Sequence, residues 1–350
     1  MRVVRIGKRL VGEGHPCFLA AEVGINHNGD MDLAHRSIDA AVEAGADAVK
    51  FQNYRAEDFL SDRSLTHEYV SQGKAVVESQ YDMFKRCELT AANLRELRDH
   101  CDERGVIFFS TPTSENGIQE LIELGVSMLK NGSDYLVNLP LIRAMARTGL
   151  PTVISTGMAT LDDVKDAVEA FRGAGGKELI LLHCTSSYPT PLEDAHLRKI
   201  TALSVAFDCP AGLSDHTDGT VAAIGSVALG ACMIEKHFTL DKNLPGPDHR
   251  FSADREEFRG LVDSVRAMEE SLGSAELKPA ASEELTRRDS RLSCVAAREL
   301  PSGHRLVASD IAFRRPGFGF PPKQLDRLIA RQLVKDIPLG HVFAAEDFAE

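Results

Sequence analysis

Two histidines and two lysines carry the strongest chemical signal in this 350-residue chain. His216 and His237 each end a short apolar run, in PAGLSDHT and CMIEKHFTL, so a fold that gathers run ends makes them neighbours. Two neutral imidazoles with open positions suit a divalent ion such as manganese, iron, cobalt or zinc. No thiolate cluster and no third histidine accompanies them, which argues against a closed structural zinc site. Lys50 and Lys130 lie inside VKFQ and MLKNGS, where a lysine has a poor route to the surface. With Thr111, Ser133, Ser155 and Ser214 they form a donor-rich pocket for phosphate. A lysine so placed also suits Schiff-base chemistry.

Three carboxylates come next. Glu22 lies in the first apolar run, where a buried carboxylate needs a cation or donors. It is a candidate acid or base beside the metal. Asp248, in NLPGPDHRFS, is suited to sugar hydroxyls or to a plain turn. Glu235 reads as the ion-pair partner of a lysine. Gln52, Ser186 and Tyr188 also close apolar runs. Arg314 and Arg315, in FRRPGFGFPP, read on spacing alone as a solvated loop.

Eight runs must position these groups: CFLAAEVGIN, DAVKFQNY, VIFFSTP, SMLKNGS, PTVISTG, LILLHCTSSYPTP, PAGLSDHT and CMIEKHFTL. Most are continuously apolar, as parallel strands covered on both faces are. Helical patterns separate them, with a longer polar and helical excursion between the second and third. Eight strand–helix units over about 270 residues predict an α/β fold, a (β/α)8 TIM barrel, whose strand ends converge on one mouth. A doubly wound sheet is the alternative, weakened by the lack of a glycine-rich fingerprint after the first strand. The barrel is placed at residues 1–273, a polar linker at 274–290, and a small mostly-β module at 291–350. A module of about 60 residues is near the lower limit for independent stability and is expected to lean on the barrel or on a partner subunit. No internal repeat is read.

The formal net charge of -12 argues against nucleic acid or an anionic membrane as partner. Seven cysteines, an odd number with no C-x-x-C pair, fit a reducing cytoplasm. The N-terminus lacks the long apolar run of a leader, and no stretch of about 18 apolar residues is present to span a membrane.

The ordered segments AEVGINHNGD, ADAVKFQ, FSTP, LKNGS, STGM, LLHCTSSYPTP, GLSDHT, EKHFTL and PGPDHRFS closely resemble the sialic acid synthase family. That family includes N-acetylneuraminate, legionaminate and pseudaminate synthases and spore coat polysaccharide biosynthesis protein E. The C-terminal RRPGFG is similar to the arginine motif of its antifreeze-like SAF module. The resemblance implies condensation of phosphoenolpyruvate with an N-acylated hexosamine aldehyde. It implies His216 and His237 as ligands of a divalent metal, manganese first, with magnesium or cobalt as alternatives. Lys50, Gln52, Thr111, Lys130, Ser133, Ser155 and Ser214 are implied to hold phosphoenolpyruvate. Glu22, Tyr188 and Asp248 are implied at the sugar, and Arg315 in a partner's barrel within a domain-swapped homodimer. Two departures fall on the sugar side: Tyr135 stands where members that read KIGSGE carry glutamate, and Ser186 where HCTN carries asparagine. Rival readings are a deoxyheptulosonate-phosphate-type synthase, a Schiff-base aldolase, and a carbohydrate- or ice-binding protein.

Overall fold

Alternation along the strands explains how this chain builds an apolar floor beneath a polar mouth. The computed structural model describes residues 2–349, save the Phe59 side chain. In chain order the strands are β1 Val3–Ile6, β2 Arg9–Gly12, β3 Phe18–Gly24, β4 Ala48–Asn53, β5 Thr66–Ser71, β6 Lys74–Ser79, β7 Ile107–Pro112, β8 Leu129–Asn131, β9 Thr152–Ser155, β10 Leu179–Cys184, β11 Ala211–Asp215 and β12 Met233–His237, then β13 Ser293–Ala296 and β14 Ile311–Arg314. Eight of them form one parallel sheet in the order β7-β4-β3-β12-β11-β10-β9-β8. The end strands β7 and β8 pack side by side without a hydrogen-bonded ladder, so packing closes the (β/α)8 barrel.

Every second strand residue faces the barrel interior. Phe18 and Ala20 of β3, Ala48 of β4, Phe109 of β7, Ile180 and Leu182 of β10 and Met233 of β12 fill its lower half. Val4, Ile6 and Val11, from the β1–β2 hairpin, pack against the same group and plug the floor. Burying each large side chain contributes roughly 1.5–3 kcal/mol. Continuing the same alternation upward gives Glu22, Lys50 and Gln52, Thr111, Cys184, and Glu235 with His237. Polar side chains therefore meet above an apolar plug.

The outer-facing strand residues pack against helices that carry their own start signals. Thr90, Thr160 and Asp254 each accept from the third backbone N–H of the following helix, and the residue there answers in kind. The first helix, Met31–Glu43, buries Ala34, Ile38 and Ala41. The polar excursion between β4 and β7 is not purely helical. It contains the antiparallel hairpin β5–β6 before its two longer helices, Gln80–Arg86 and Ala91–Arg104.

The chain divides into two compact units, one ending at Gly273 and one starting at Ser274. In the second unit, residues 284–290 form a short helix, and the Arg288 carbonyl accepts from Gly317 N at 2.6 Å. The stretch read as a linker is thus tied by its end to the RRPGFG turn. This unit also contains a repeat that the sequence reading lacked. Leu300-Pro301, Gly303-His304 and Asp310 recur as Ile337-Pro338, Gly340-His341 and Asp347. The copies pair antiparallel where Leu300 meets Ile337. Gly303 and Gly340 share φ of 83° and 82°, a region glycine enters freely. Among the described residues no helix is long and apolar enough to cross a membrane.

Candidate active site

A cavity of about 800 Å³ opens where the barrel strands end. It is lined by Glu22, Lys50, Gln52, Thr111, Lys130, Ser133, Ser155, Ser186, Tyr188, Ser214, His216, His237 and Asp248. Arg315 is not among its lining; it lies exposed in the second unit, just past β14.

The charges form an alternating row. Lys50 Nζ lies 3.1 Å from Glu22 Oε2 and 3.4 Å from Glu235 Oε2. Lys130 Nζ is 4.0 Å from Glu235 Oε1, and donates to Ser155 Oγ at 2.6 Å and to the Asn131 carbonyl at 2.8 Å. Lys50 also reaches Thr111 at 3.3 Å, Gln52 donates to Glu22 at 3.1 Å, and Ser214 donates to Glu235 at 2.9 Å. Ser133 Oγ accepts from Gly157 N at 2.9 Å. All four charged groups are buried.

Burial and competition set their protonation. Burial raises Glu22 to about 7, against the pull of Lys50 and with the push of Glu235. Burial also raises Glu235, but Lys130 and Lys50 outweigh it and hold that carboxyl below its ordinary value. Lys50 is lowered by burial and raised more by its two carboxylates, for a net rise. Lys130, with a more distant carboxylate, is lowered by burial. Glu235 is therefore the fixed anion of the row and Glu22 the proton-exchanging one.

The two imidazoles stand with ring centroids 5.2 Å apart. His216 Nδ1 is engaged by the Thr185 carbonyl at 3.0 Å, which leaves Nε2 as the nitrogen available to a ligand. Burial, His216 and Lys50 hold His237 well below its ordinary pKa, and its buried Nδ1 has no hydrogen-bond partner. Asp248 lies 3.7 Å from that nitrogen and is raised to about 6 by burial. The Tyr188 ring sits 4.2 Å from that of His216. Among the described residues no group of three or more His, Cys, Asp or Glu is gathered to hold an ion unaided. Two buried imidazoles, one with an orphaned nitrogen, still fit a catalytic cation whose other positions stay open.

Several strand-end polar groups do other work. Asn26 donates to the Phe238 carbonyl, Ser110 to Phe51 and Thr156 to Leu182, so they tie neighbouring strand ends together. Lys236 faces outward, because its neighbours Glu235 and His237 face in. Sequence reasoning missed Cys184, which lines the cavity with its Sγ 3.7 Å from His216 Nδ1; strand alternation from Leu182 points to it. It also missed His67 and Tyr69 of the β5–β6 hairpin, which line the outer cavity wall.

A model of the NeuB family matches residues 37–277, and one of the SAF domain matches residues 293–349. The chain belongs to the NeuB family. Among relatives of this NeuB-family chain, an uncharacterized protein of Methanocaldococcus jannaschii is 42% identical over 96% of both chains. The N,N'-diacetyllegionaminic acid synthase of Legionella pneumophila is 39% identical over 94% of both. A crystal structure of N-acetylneuraminic acid (sialic acid) synthetase from Leptospira borgpetersenii superposes with a TM-score of 0.74 at 34% identity, covering 81% of this chain and 95% of that one. This NeuB-family chain is accordingly an enzyme, a synthase of the sialic-acid type.

Proposed function

We propose that the protein joins phosphoenolpyruvate to the open-chain aldehyde of an N-acylated hexosamine, releasing phosphate and a nine-carbon 2-keto-3-deoxy acid. One observation carries this reading: an anion pocket built on Lys50 and Lys130 shares a single cavity with the imidazoles of His216 and His237. Its volume of about 800 Å³ suits two small reactants held side by side.

Lys50 and Lys130, with Thr111, Ser133, Ser155 and Ser214, hold the phosphate and carboxylate of phosphoenolpyruvate, and Gln52 adds a donor. That positioning converts an encounter of two solutes into reaction within one complex. A divalent cation on His216 and His237, manganese first, with magnesium or cobalt as alternatives, supplies Lewis-acid polarisation of the aldehyde when bound. The methylene carbon of the enol attacks the aldehyde carbon and forms the new C–C bond. Glu22, protonated up to about pH 7, gives its proton to the emerging alkoxide oxygen. Water adds to the enol carbon and returns a proton to Glu22. The C–O bond to phosphate then breaks, the hydroxyl proton leaves with the phosphate, and the ketone remains. Tyr188, Ser186 and Asp248 face the sugar.

The outer wall favours a sugar without phosphate. Tyr54, Met83, Phe84, Tyr135 and Phe251 make much of it apolar, and Glu68, Asp134, Asp218 and Asp248 oppose a second phosphate with only Arg250 in support. Likeness to the Legionella synthase adds weight to a diacetamido sugar as substrate. Seven free, buried cysteines support work in the reducing cytoplasm.

A homodimer that swaps its SAF domains, placing Arg315 in the partner's cavity, fits the exposed apolar side chains of both units. Val137, Met158, Leu161 and Leu192 stand beyond the strand ends, Leu161 as the first residue of a helix, and Phe313 and Phe318 flank the two arginines. A monomer by light scattering rules the swap out.

Phosphate release from phosphoenolpyruvate, measured with Mn²⁺ across N-acetylmannosamine, its 6-phosphate and a 2,4-diacetamido-6-deoxy analogue, tests the whole reading. Release with the neutral sugars and little with the phosphate is expected. No release with any sugar sinks it. One observation, the lowered Lys130, suits a Schiff-base aldolase; borohydride trapping of pyruvate on Lys130 is the result that favours it.

A further inference from the structure

The two histidines are held from behind. Strands β11 and β12 pair in register as far as Asp215 opposite Lys236, and His216 and His237 are the next residues on each. Asp215 and Lys236 alternate to the outer side of the barrel and are both buried. Lys236 Nζ donates to Asp215 Oδ2 at 2.8 Å and to the Thr217 carbonyl at 2.8 Å. Those acceptors belong to the residues before and after His216, so one ammonium brackets the backbone that carries the imidazole. Asp215 Oδ1 also accepts from Thr217 N at 3.0 Å and from its hydroxyl at 2.8 Å, which closes the turn around His216.

Such a pair is weak evidence of a stabilising role. An apolar pair of the same volume often serves stability as well or better, because both charges must be desolvated. Directed bonds to two points of one turn do what an apolar pair cannot: they fix where the next side chain emerges. Strand register then passes the same constraint from Lys236 to His237.

We propose that the Asp215–Lys236 pair is a positioning device for His216 and His237, setting the separation of the imidazoles that a divalent cation needs. The inference rests on the metal reading above. The decisive measurement is calorimetric titration with Mn²⁺ alone, without either substrate. In the double variant Lys236→Met/Asp215→Asn, the asparagine still accepts from Thr217 and the methionine fills the lysine's volume. It is expected to melt no lower than the parent yet to bind Mn²⁺ about 10- to 100-fold more weakly. Lys236→Arg keeps the charge but carries its donors on a longer, planar group that cannot occupy the point from which Nζ makes both bonds, and should lie between the two. A folded double variant whose affinity stays within about twofold of the parent overturns the proposal, given the usual cost of losing a ligand-orienting partner. If the double variant does not fold, Lys236→Arg decides: parental affinity overturns the proposal, weakened affinity supports it. A parent that takes up no Mn²⁺ is a different failure, that of the metal reading itself.

Discussion

The barrel mouth and the C-terminal unit both bury charge, and they treat it in opposite ways. Asp310 accepts from His304 at 2.7 Å and from Val307 N at 2.9 Å, with Arg298 at 2.7 Å. Asp347, its counterpart in the repeat, accepts from His341 at 2.8 Å and Ala344 N at 2.7 Å, with Lys335 at 2.8 Å. Burial would raise both carboxyls, but these donors outweigh it and hold them below the ordinary range. In the mouth, Glu22 has burial and Glu235 against it and is raised instead. Charge that serves the fold is surrounded by fixed donors. Charge that serves chemistry is left with partners a ligand can replace.

The largest effect should come from Glu22→Gln, which keeps the shape and removes the proton. Turnover should fall about 10²- to 10⁴-fold, the usual worth of a general acid. The parent's kcat/KM should decline as pH rises through about 7, where Glu22 loses its proton, and the variant should lack that limb. Stability should move the other way. A carboxyl raised in the folded state favours folding below its unfolded pKa, and that contribution is lost as pH rises through the folded value. Glutamine escapes this, so at pH 8 the variant should gain up to about 2–3 kcal/mol in denaturant titration. A variant that loses activity and stability together would mean that Glu22 is structural, like the aspartates of the other unit.

Asp310→Asn and Asp347→Asn should reverse that pattern. Arg298 and Lys335 are about half exposed and can turn to water, so the loss is mainly that of the histidine and backbone bonds. Each variant should cost the C-terminal unit about 1–3 kcal/mol. Both carboxyls are depressed in the folded state, so their stabilisation is present above the unfolded aspartate value and disappears as pH falls through the folded one. The second unit should therefore open first in acid. All five tyrosines lie before Ser274 and the chain has no tryptophan, so peptide-resolved hydrogen exchange is the suitable probe. Equal protection in parent and variants at pH 4 would break the comparison.

What the sequence made legible follows from the same physics. A strand covered on both faces must be apolar along its length, so the barrel strands stood out, and so did the polar residues at their ends. What alternation decides was harder to read from composition. Lys236 and Asn26 close strands as Lys50 and Gln52 do, yet one face separates structural bonds from the cavity. The β5–β6 hairpin was hidden because most of its residues are half-buried or exposed, with no apolar face to signal a strand. The C-terminal repeat was hidden by its sparseness. Only proline, glycine, histidine, alanine and aspartate recur in register from Leu300 to Ile337, and the other positions keep size or polarity at most. Arg315 lies exposed in the second unit, and its proposed place in a partner's barrel is beyond one chain's pattern, since that reading puts it in a separate molecule.

The hairpin offers a third treatment of polar groups, and the smallest predicted effect. His67 stacks on Tyr69 with ring centroids 5.5 Å apart, and Tyr69 donates to Glu78 at 2.6 Å. Arg86 holds Glu78 through two bonds, at 2.6 and 2.9 Å. Arg86 is partly exposed, so this network is worth at most about 1 kcal/mol to the fold. Its consequence lies in the outer cavity wall that it shapes, where the proposed N-acylated sugar would meet an aromatic face. Losing one such contact should cost about 1 kcal/mol. His67→Ala should therefore raise KM for the amino sugar about fivefold, with kcat, KM for phosphoenolpyruvate and the melting temperature unchanged. The split between the two KM values is what separates a wall that reads the sugar from one that only closes the site. An equal rise in both would assign the hairpin to general closure and leave the choice of sugar to Tyr135, Ser186 and Asp248.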